Sequence, residues 1–290
     1  MTSLLIAHCR ATGMKLIYDI DDDLFGTFGE HPERKYLEAM APVVERLLHG
    51  ADQVWVSSEV LQKRIEKIRS DSILLPNQLD ERIWVSPNRE IPSDSPVRIL
   101  YMGTATHDID CAFIEAVADR LADRFGKRVS FEIIGVTNRD NLSSSVSRII
   151  PPEGARISYP AFVEWLVAQS RWHIGVAPLI ETPFAAAKSE IKLLDYAALR
   201  LPTVASEMGP YQNFGSHEGV ILSRNKVSAW VTKLDGLVVD PAKRAALGAA
   251  AYEALLSSHS LRANGRQWVD ALRQANPDYA RRVGGCSLNV

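Results

Sequence analysis

Short runs rich in β-branched residues alternate along this chain with longer stretches in which apolar side chains recur every three or four positions. That alternation predicts an α/β fold built on a parallel sheet. The strand runs are 15–19, 53–57, 72–75, 97–102, 130–134, 173–177, 202–205 and 220–222, and helical periodicity occupies 35–48, 59–69, 111–125, 162–169, 190–199, 227–237, 242–256 and 261–275. Asp240 followed by Pro241 marks one helix start, a carboxylate that accepts from free amides and then a ring whose missing N–H costs nothing there. From Pro76 to Pro96, prolines 76, 87, 92 and 96 interleave with Asn, Ser and Asp without a sustained period. That composition predicts a linker, and with it two domains, 1–95 and 96–290. The apolar opening Leu4–Ala7 is too short for a signal-peptide core, and no run approaches the ~20 apolar residues of a spanning helix.

Composition narrows the function classes. The 290 residues are 46% hydrophobic and 23% charged, which suits a well-buried core rather than a disordered chain. A net charge of −2 lacks the basic footprint that neutralises a nucleic-acid backbone, so DNA and RNA are not the expected partners. Cys9, Cys111 and Cys286 are odd in number and widely spaced, which fits neither a disulfide framework nor a zinc site and points to a reducing cytoplasm.

The first strand ends in an acidic cluster, KLIYDIDDDLF, with Asp19, Asp21, Asp22 and Asp23. One account is a turn capped and solvated by its carboxylates, and a second is a role at a cleft facing an acceptor. A third is the DxD metal site of GT-A glycosyltransferases, against which stands the mere 18 residues before Asp19. A fourth is a magnesium-dependent phosphatase resembling the haloacid dehalogenases, with Asp19 as nucleophile, Asp21 as acid/base and Ser57 on the phosphate. Its threonine near Asp23 and its later acidic pair are missing.

Two strand ends and one helix carry the remaining chemistry. VRILYMG (97–103) runs into the small-residue turn Gly103-Thr104-Ala105-Thr106, where a glycine lets a phosphate approach backbone amides at a helix start. SFEIIGV (130–136) places Gly135 where a base or ribose would be admitted. In APLIETPFAAAKSEIKLLDYAALRLPTVASEMGPY (177–211), Ser189 is placed to cap a helix beginning at Glu190. Lys188, Lys192 and Asp195 then fall along one edge, and Ile191, Leu194 and Ala198 along another. Two cations at a helix start suit a diphosphate, with Asp195 accepting from ribose hydroxyls. The alternative is an amphipathic surface helix with solvated lysines.

This stretch resembles the large retaining, metal-independent GT-B class of glycosyltransferases, through Pro178, LLDYAA (193–198) and LPTVAS (201–206). ADQVWVSS (51–58) is similar to the last acceptor-domain strand, LLPNQLD (74–80) to the interdomain segment, and RILYMGT (98–104) to the first donor-domain strand. The resemblance implies a Rossmann-like donor domain preceded by a partial Rossmann-like acceptor domain. It implies transfer from a UDP- or GDP-sugar to a glycan or lipid acceptor with retention, no metal or other cofactor, and Lys188 and Lys192 as catalytic cations. Gly103, Thr104, Gly135, Ser189 and Asp195 would bind the donor. The sequence departs from the class where Ala187 replaces the first of its two glutamates, where Gln78 replaces a glycine, and where His107 and Asp110 stand near an expected basic phosphate ligand. About 95 residues before the donor domain cover only part of an acceptor half, so a partner chain supplying the rest is a further expectation. So is a catalytically silent nucleotide-sugar-binding or partner-binding module.

Overall fold

The structure is a computed structural model that describes residues 1–24, 33–84, 96–104, 107–169 and 171–277. The chain runs through α1 (Thr2–Thr12), β1 (Ile17–Ile20), α2 (Arg34–Gly50), β2 (Gln53–Val56), α3 (Glu59–Ile65), β3 (Ile73–Leu74), β4 (Val97–Gly103), α4 (Asp108–Phe125), β5 (Val129–Gly135) and β6 (Val146–Arg148). It continues through α5 (Tyr159–Gln169), β7 (Ile174–Ala177), α6 (Pro183–Ala186), α7 (Ile191–Ala198), β8 (Thr203–Ser206), β9 (Val220–Ser223), α8 (Val227–Val238), α9 (Pro241–Ala254) and α10 (Leu261–Ala275). Contacts divide the described residues into two units. The first draws on Met1–Gln78, Thr182–Ser189 and Leu261–Val290, and the second on Leu79–Glu181 and Glu190–Ser260. A single cut at residue 95 therefore does not match the contact units, because two later segments pack with the N-terminal one.

The first unit holds a three-stranded parallel sheet in the order β1-β2-β3. One face of the sheet carries Ile20, Val54 and Val56, which pack with Val44 and Leu48 of α2, Leu61 and Ile65 of α3, and Ala187. Ser58 joins the later segment to this core: its Oγ accepts from Leu61 N at 3.3 Å, capping α3, and donates to Ala187 O at 2.7 Å. Trp55 belongs to another cluster, with Leu75 and Ala271, and meets Trp268 of α10 edge-on at 5.6 Å. These contacts bind α10 to the unit. The apolar opening is a helix, α1, closed by Gly13 at φ 72°.

The second unit is a six-stranded sheet in the order β6-β5-β4-β7-β8-β9, parallel at every pairing. Counted from β4 this is the order 3-2-1-4-5-6 of a doubly wound dinucleotide-binding sheet. β4 is buried along most of its length and β5 through its central residues Phe131, Glu132, Ile133 and Ile134, as strands covered on both faces must be. α4 lays Cys111, Ile114, Val117, Ala118, Leu121 and Phe125 on the core at helical spacing, and Phe113 meets Trp230 of α8 edge-on at 5.4 Å. Each such large apolar side chain contributes about 1.5–3 kcal/mol of burial. Asp240 caps α9 as expected, its Oδ1 accepting from Lys243 N at 2.8 Å.

The expected linker divides. Its start is built into the second unit, where Leu79 N donates to His259 O at 2.9 Å and buried Trp84 donates through Nε1 to Tyr159 Oη at 3.1 Å. Residues 85–95, with Pro87 and Pro92, lie outside the described residues, as do Ala105, Thr106 and Cys286.

Candidate functional site

In an open α/β sheet the strand order reverses at one point, and the crevice beyond the carboxyl ends of the strands flanking it is where ligands bind. Here those strands are β4, which ends at Gly103, and β7, which ends at Ala177. A methyl group placed on Gly103 would lie 3.1 Å from His107 Cδ2, 3.2 Å from Lys192 Nζ and 3.3 Å from Val136 Cγ1. The bare glycine thus stands between an imidazole and an ammonium group, where even a methyl would be tightly flanked. Exposed Thr104 follows directly.

Gly135 pairs with Gly103 across the sheet. At φ +75° it takes a conformation other residues adopt only with strain, and a methyl there would run into the Gly103 carbonyl. Val136 follows at φ 34°, a genuine outlier for a β-branched residue. The bonds that hold it there run from Val136 N to Gly103 O and from His107 N to Val136 O, both at 3.1 Å. Strained backbone of this kind concentrates at functional sites.

Lys192 lies in the first turn of α7, with Nζ 4.9 Å from the centre of the Tyr101 ring. Tyr196, one turn on, anchors that helix to the sheet: its buried hydroxyl donates to Val176 O and accepts from Met102 N, each at 3.0 Å. Asp195 is partly exposed as a residue, yet its Oδ1 is sealed from solvent and has no hydrogen-bond partner among the described residues. Burial pushes its carboxyl up to about 7, against the opposing pull of Lys192. Its charge in turn helps raise the Tyr159 and Tyr211 hydroxyls, for which burial is the larger cause. A carboxyl raised by burial whose Oδ1 meets no partner among the described residues is suited to ligand hydroxyls.

The loop after β7 is fixed by polar side chains. Ser206 Oγ accepts from Leu179 N at 2.8 Å and donates to Asn225 Oδ1 at 2.6 Å, while Asn225 Nδ2 donates to Leu179 O at 2.8 Å. Buried Asp110 accepts from Ile180 N at 2.7 Å through Oδ1 and from His107 Nδ1 at 2.7 Å through Oδ2.

Lys188 and Ser189 are placed differently from the sequence expectation. α7 begins at Ile191 with Glu190 as its N-cap residue, and no side chain caps it. Ser189 Oγ accepts instead from Asn77 Nδ2 at 2.8 Å, and Lys188 Nζ pairs with Asp22 at 3.3 Å, all within the first unit. Neither residue lies on the helix that carries Lys192 and Asp195, so the expected edge of Lys188, Lys192 and Asp195 with Ser189 as its cap does not form. The second unit does bring together Gly103, Gly135, Lys192 and Asp195. Sequence reasoning missed Tyr101, Tyr196, Ser206 and Asn225; a tyrosine beside Asp195 in a buried helix was the one local sign.

The acidic cluster is tied into the first unit. Buried Asp23 is paired with Arg64, Asp22 with Lys188, and Ser57 Oγ donates to Asp21 O at 3.2 Å. Among the described residues no three His, Cys, Asp or Glu side chains are grouped to hold a metal ion, and no helix is long and apolar enough to cross a membrane.

No protein-family profile matches the chain, and no curated protein matches it. Its fold, however, is shared with solved glycosyltransferases. The crystal structure of TarM superposes with a TM-score of 0.64 at 13% identity over 88% of this chain and 50% of that one. A glycosyltransferase from Rickettsia africae gives 0.64 at 10% identity over 96% of this chain and 81% of that one. Anabaena HepE in complex with UDP-glucose gives 0.62 at 12% identity over 94% and 77%. The chain has the GT-B glycosyltransferase fold, with parallel Rossmann-like sheets, and spans half the length of TarM.

Proposed function

We propose that the second unit binds a nucleoside diphosphate sugar beyond the carboxyl ends of β4 and β7, and that the chain serves glycosyl transfer from that donor with retention of configuration. The observation that carries this reading is the space over Gly103, bounded by Lys192 Nζ and the His107 ring at the point where the strand order reverses. A diphosphate suits it, because the glycine admits an oxygen to the backbone and the ammonium supplies its counter-charge. The shared fold supports the same reading, and the HepE complex makes UDP-glucose the first donor to test.

Lys192 is then the catalytic cation. Breaking the bond between sugar and diphosphate places negative charge on the departing phosphate, and a fixed ammonium beside it lowers the barrier by a few kcal/mol. Gly103 and Thr104 give close backbone approach, Gly135 leaves room for the base or ribose, and Asp195 accepts from the ribose. Lys188 and Ser189 act within the first unit, where Asp22 and Asn77 hold them. The acceptor is a glycan or a lipid headgroup. A partner chain completing the acceptor side is consistent with the span against TarM.

The test is a thermal-shift and turnover series. UDP or GDP raises the melting temperature without magnesium, Lys192→Ala removes the shift, and a labelled donor is consumed when acceptors are supplied. A shift without turnover identifies a nucleotide-sugar-binding module that does not catalyse. No shift with either nucleotide overturns the reading, and a magnesium-dependent phosphatase lost with Asp19→Asn would replace it.

A further inference from the structure

We infer that the His107–Asp110 pair is a pH-gated phosphate ligand: protonated His107 joins Lys192 in holding the diphosphate, so nucleotide affinity falls as the imidazole loses its proton. This inference rests on the functional reading above and adds to it a titratable cation.

The geometry is specific. A carboxylate only accepts, so the His107 Nδ1 that meets Asp110 Oδ2 at 2.7 Å carries a hydrogen. Asp110 is itself held by the Ile180 amide through its other oxygen, which fixes the ring's orientation. Cδ2 of the ring, to which Nε2 is bonded, lies 3.1 Å from where a methyl on Gly103 would stand, and Lys192 Nζ of α7 lies 3.2 Å from the same point. One ligand oxygen seated over Gly103 therefore meets both groups.

The charges facing His107 act in opposite senses. Asp110 on its own helix favours the imidazolium, and Lys192 from α7 opposes it. Tyr101 of β4 meets the ring edge-on at 6.3 Å and stays neutral, because burial raises its hydroxyl well above the usual range. Tyr211 is likewise neutral, because burial, with the charge of Asp110 adding to it, raises its hydroxyl. Asp108 is taken up by the Thr137 hydroxyl and by Arg139 at 3.9 Å. An anionic phosphate brought to this edge offsets the repulsion by Lys192 and favours the charged imidazole. Histidine is the side chain whose charge changes between about pH 5 and 8, which sets the range over which the gate is tested.

The experiment is calorimetric binding of UDP and of GDP, from about pH 5.5 to about pH 8, to the wild type, His107→Arg, and Asp110→Asn. Asp195 and the nucleotide's own phosphate titrate in this range too, but equally in the wild type and in His107→Arg, so the ratio of their dissociation constants isolates His107. The wild type is expected to lose about tenfold in affinity relative to His107→Arg across the range. Asp110→Asn keeps an acceptor for Ile180 but puts a donor against Nδ1, so its loss sets in at lower pH. A ratio that stays flat with pH, while the wild type binds nucleotide, overturns the gate and leaves the donor site standing. Absence of UDP and GDP binding at every pH in the wild type overturns the donor site and the gate together.

Discussion

Alanine at Gly103 is expected to remove nucleotide binding while leaving the fold standing. The new methyl would sit 3.1–3.3 Å from His107 Cδ2, Lys192 Nζ and Val136 Cγ1, a few tenths of an ångström tighter than ordinary contact. Lys192 gives way at the end of a flexible chain, and the Gly103 backbone is not left-handed. Loss of glycine's freedom in the unfolded chain contributes about 0.4–1 kcal/mol in the other direction. The net effect on stability is then within ~1 kcal/mol, a melting shift of about 2–4 °C for a unit of this size. The effect on binding is larger, because the methyl occupies the volume an oxygen must enter. Losing one charge-assisted contact costs about 1.5–3 kcal/mol, which is ~10- to 100-fold in affinity.

Gly135→Ala is the control that acts in the opposite way. Its methyl meets the Gly103 carbonyl, which cannot move without parting β4 from β5, and its φ of +75° adds strain. A loss of about 3 kcal/mol or more, and a melting temperature lower by ~10 °C, is expected. Calorimetry with UDP and GDP alongside melting curves measures both variants. Binding by Gly103→Ala within about twofold of the wild type refutes the placement of the phosphate at this glycine. A melting loss equal to that of Gly135→Ala shows the space is packing rather than ligand volume.

Other substitutions probe the supports of the site. Tyr196→Phe strands Met102 N and Val176 O in the core and should cost about 1.5–3 kcal/mol in urea unfolding, with binding weakened through α7. Asp240→Ala removes the α9 cap and should cost ~1 kcal/mol with no change in nucleotide affinity. Asp195→Asn reports the buried carboxyl. A value raised from 3.8 to about 7 means that Asp195 takes up a proton on folding. Its contribution is whole below 3.8 and is lost as pH rises through about 7. Asp195→Asn should therefore be the more stable protein at about pH 8, by on the order of 1–3 kcal/mol, with the gap narrowing as pH falls below about 7 and closing only below 3.8. A gap that does not change with pH would contradict the burial argument.

Strands of the second unit were legible because a parallel strand covered on both faces must be apolar through its centre: Val97–Gly103 differs from the sequence expectation by one residue at one end, and Val129–Gly135 by one residue at each end. α10 matches at both ends. Short or weakly apolar elements were not legible. β6 is three residues at the sheet edge, α6 is four residues capped by Thr182 Oγ1, and α1 leaves Leu4 and Leu5 exposed. Membership of the units was hidden for another reason. Nothing near Ala187 in sequence shows that it packs with Ile20, Val44 and Leu48, because such long-range burial has no local period.

The same limit explains the site. Helical spacing put Lys188, Lys192 and Asp195 on one edge, with Ser189 as the cap, by assuming that the helix starts at Glu190, a boundary that local propensity sets only loosely. Asn77 and Asp22, more than a hundred residues away, claim the first two polar groups before the helix begins. Lys192 and Asp195 survive together because two residues three positions apart on one helix stay neighbours whatever the rest of the chain does. His107 and Asp110 obey that rule as well, and their pairing was readable from i,i+3 spacing at a helix start. What the spacing could not supply is the strand order that sets Gly103 beside β7 and Lys192 above Tyr101. A histidine–aspartate pair at the edge of that crevice becomes chemistry only once the β4–β7 crossover is known.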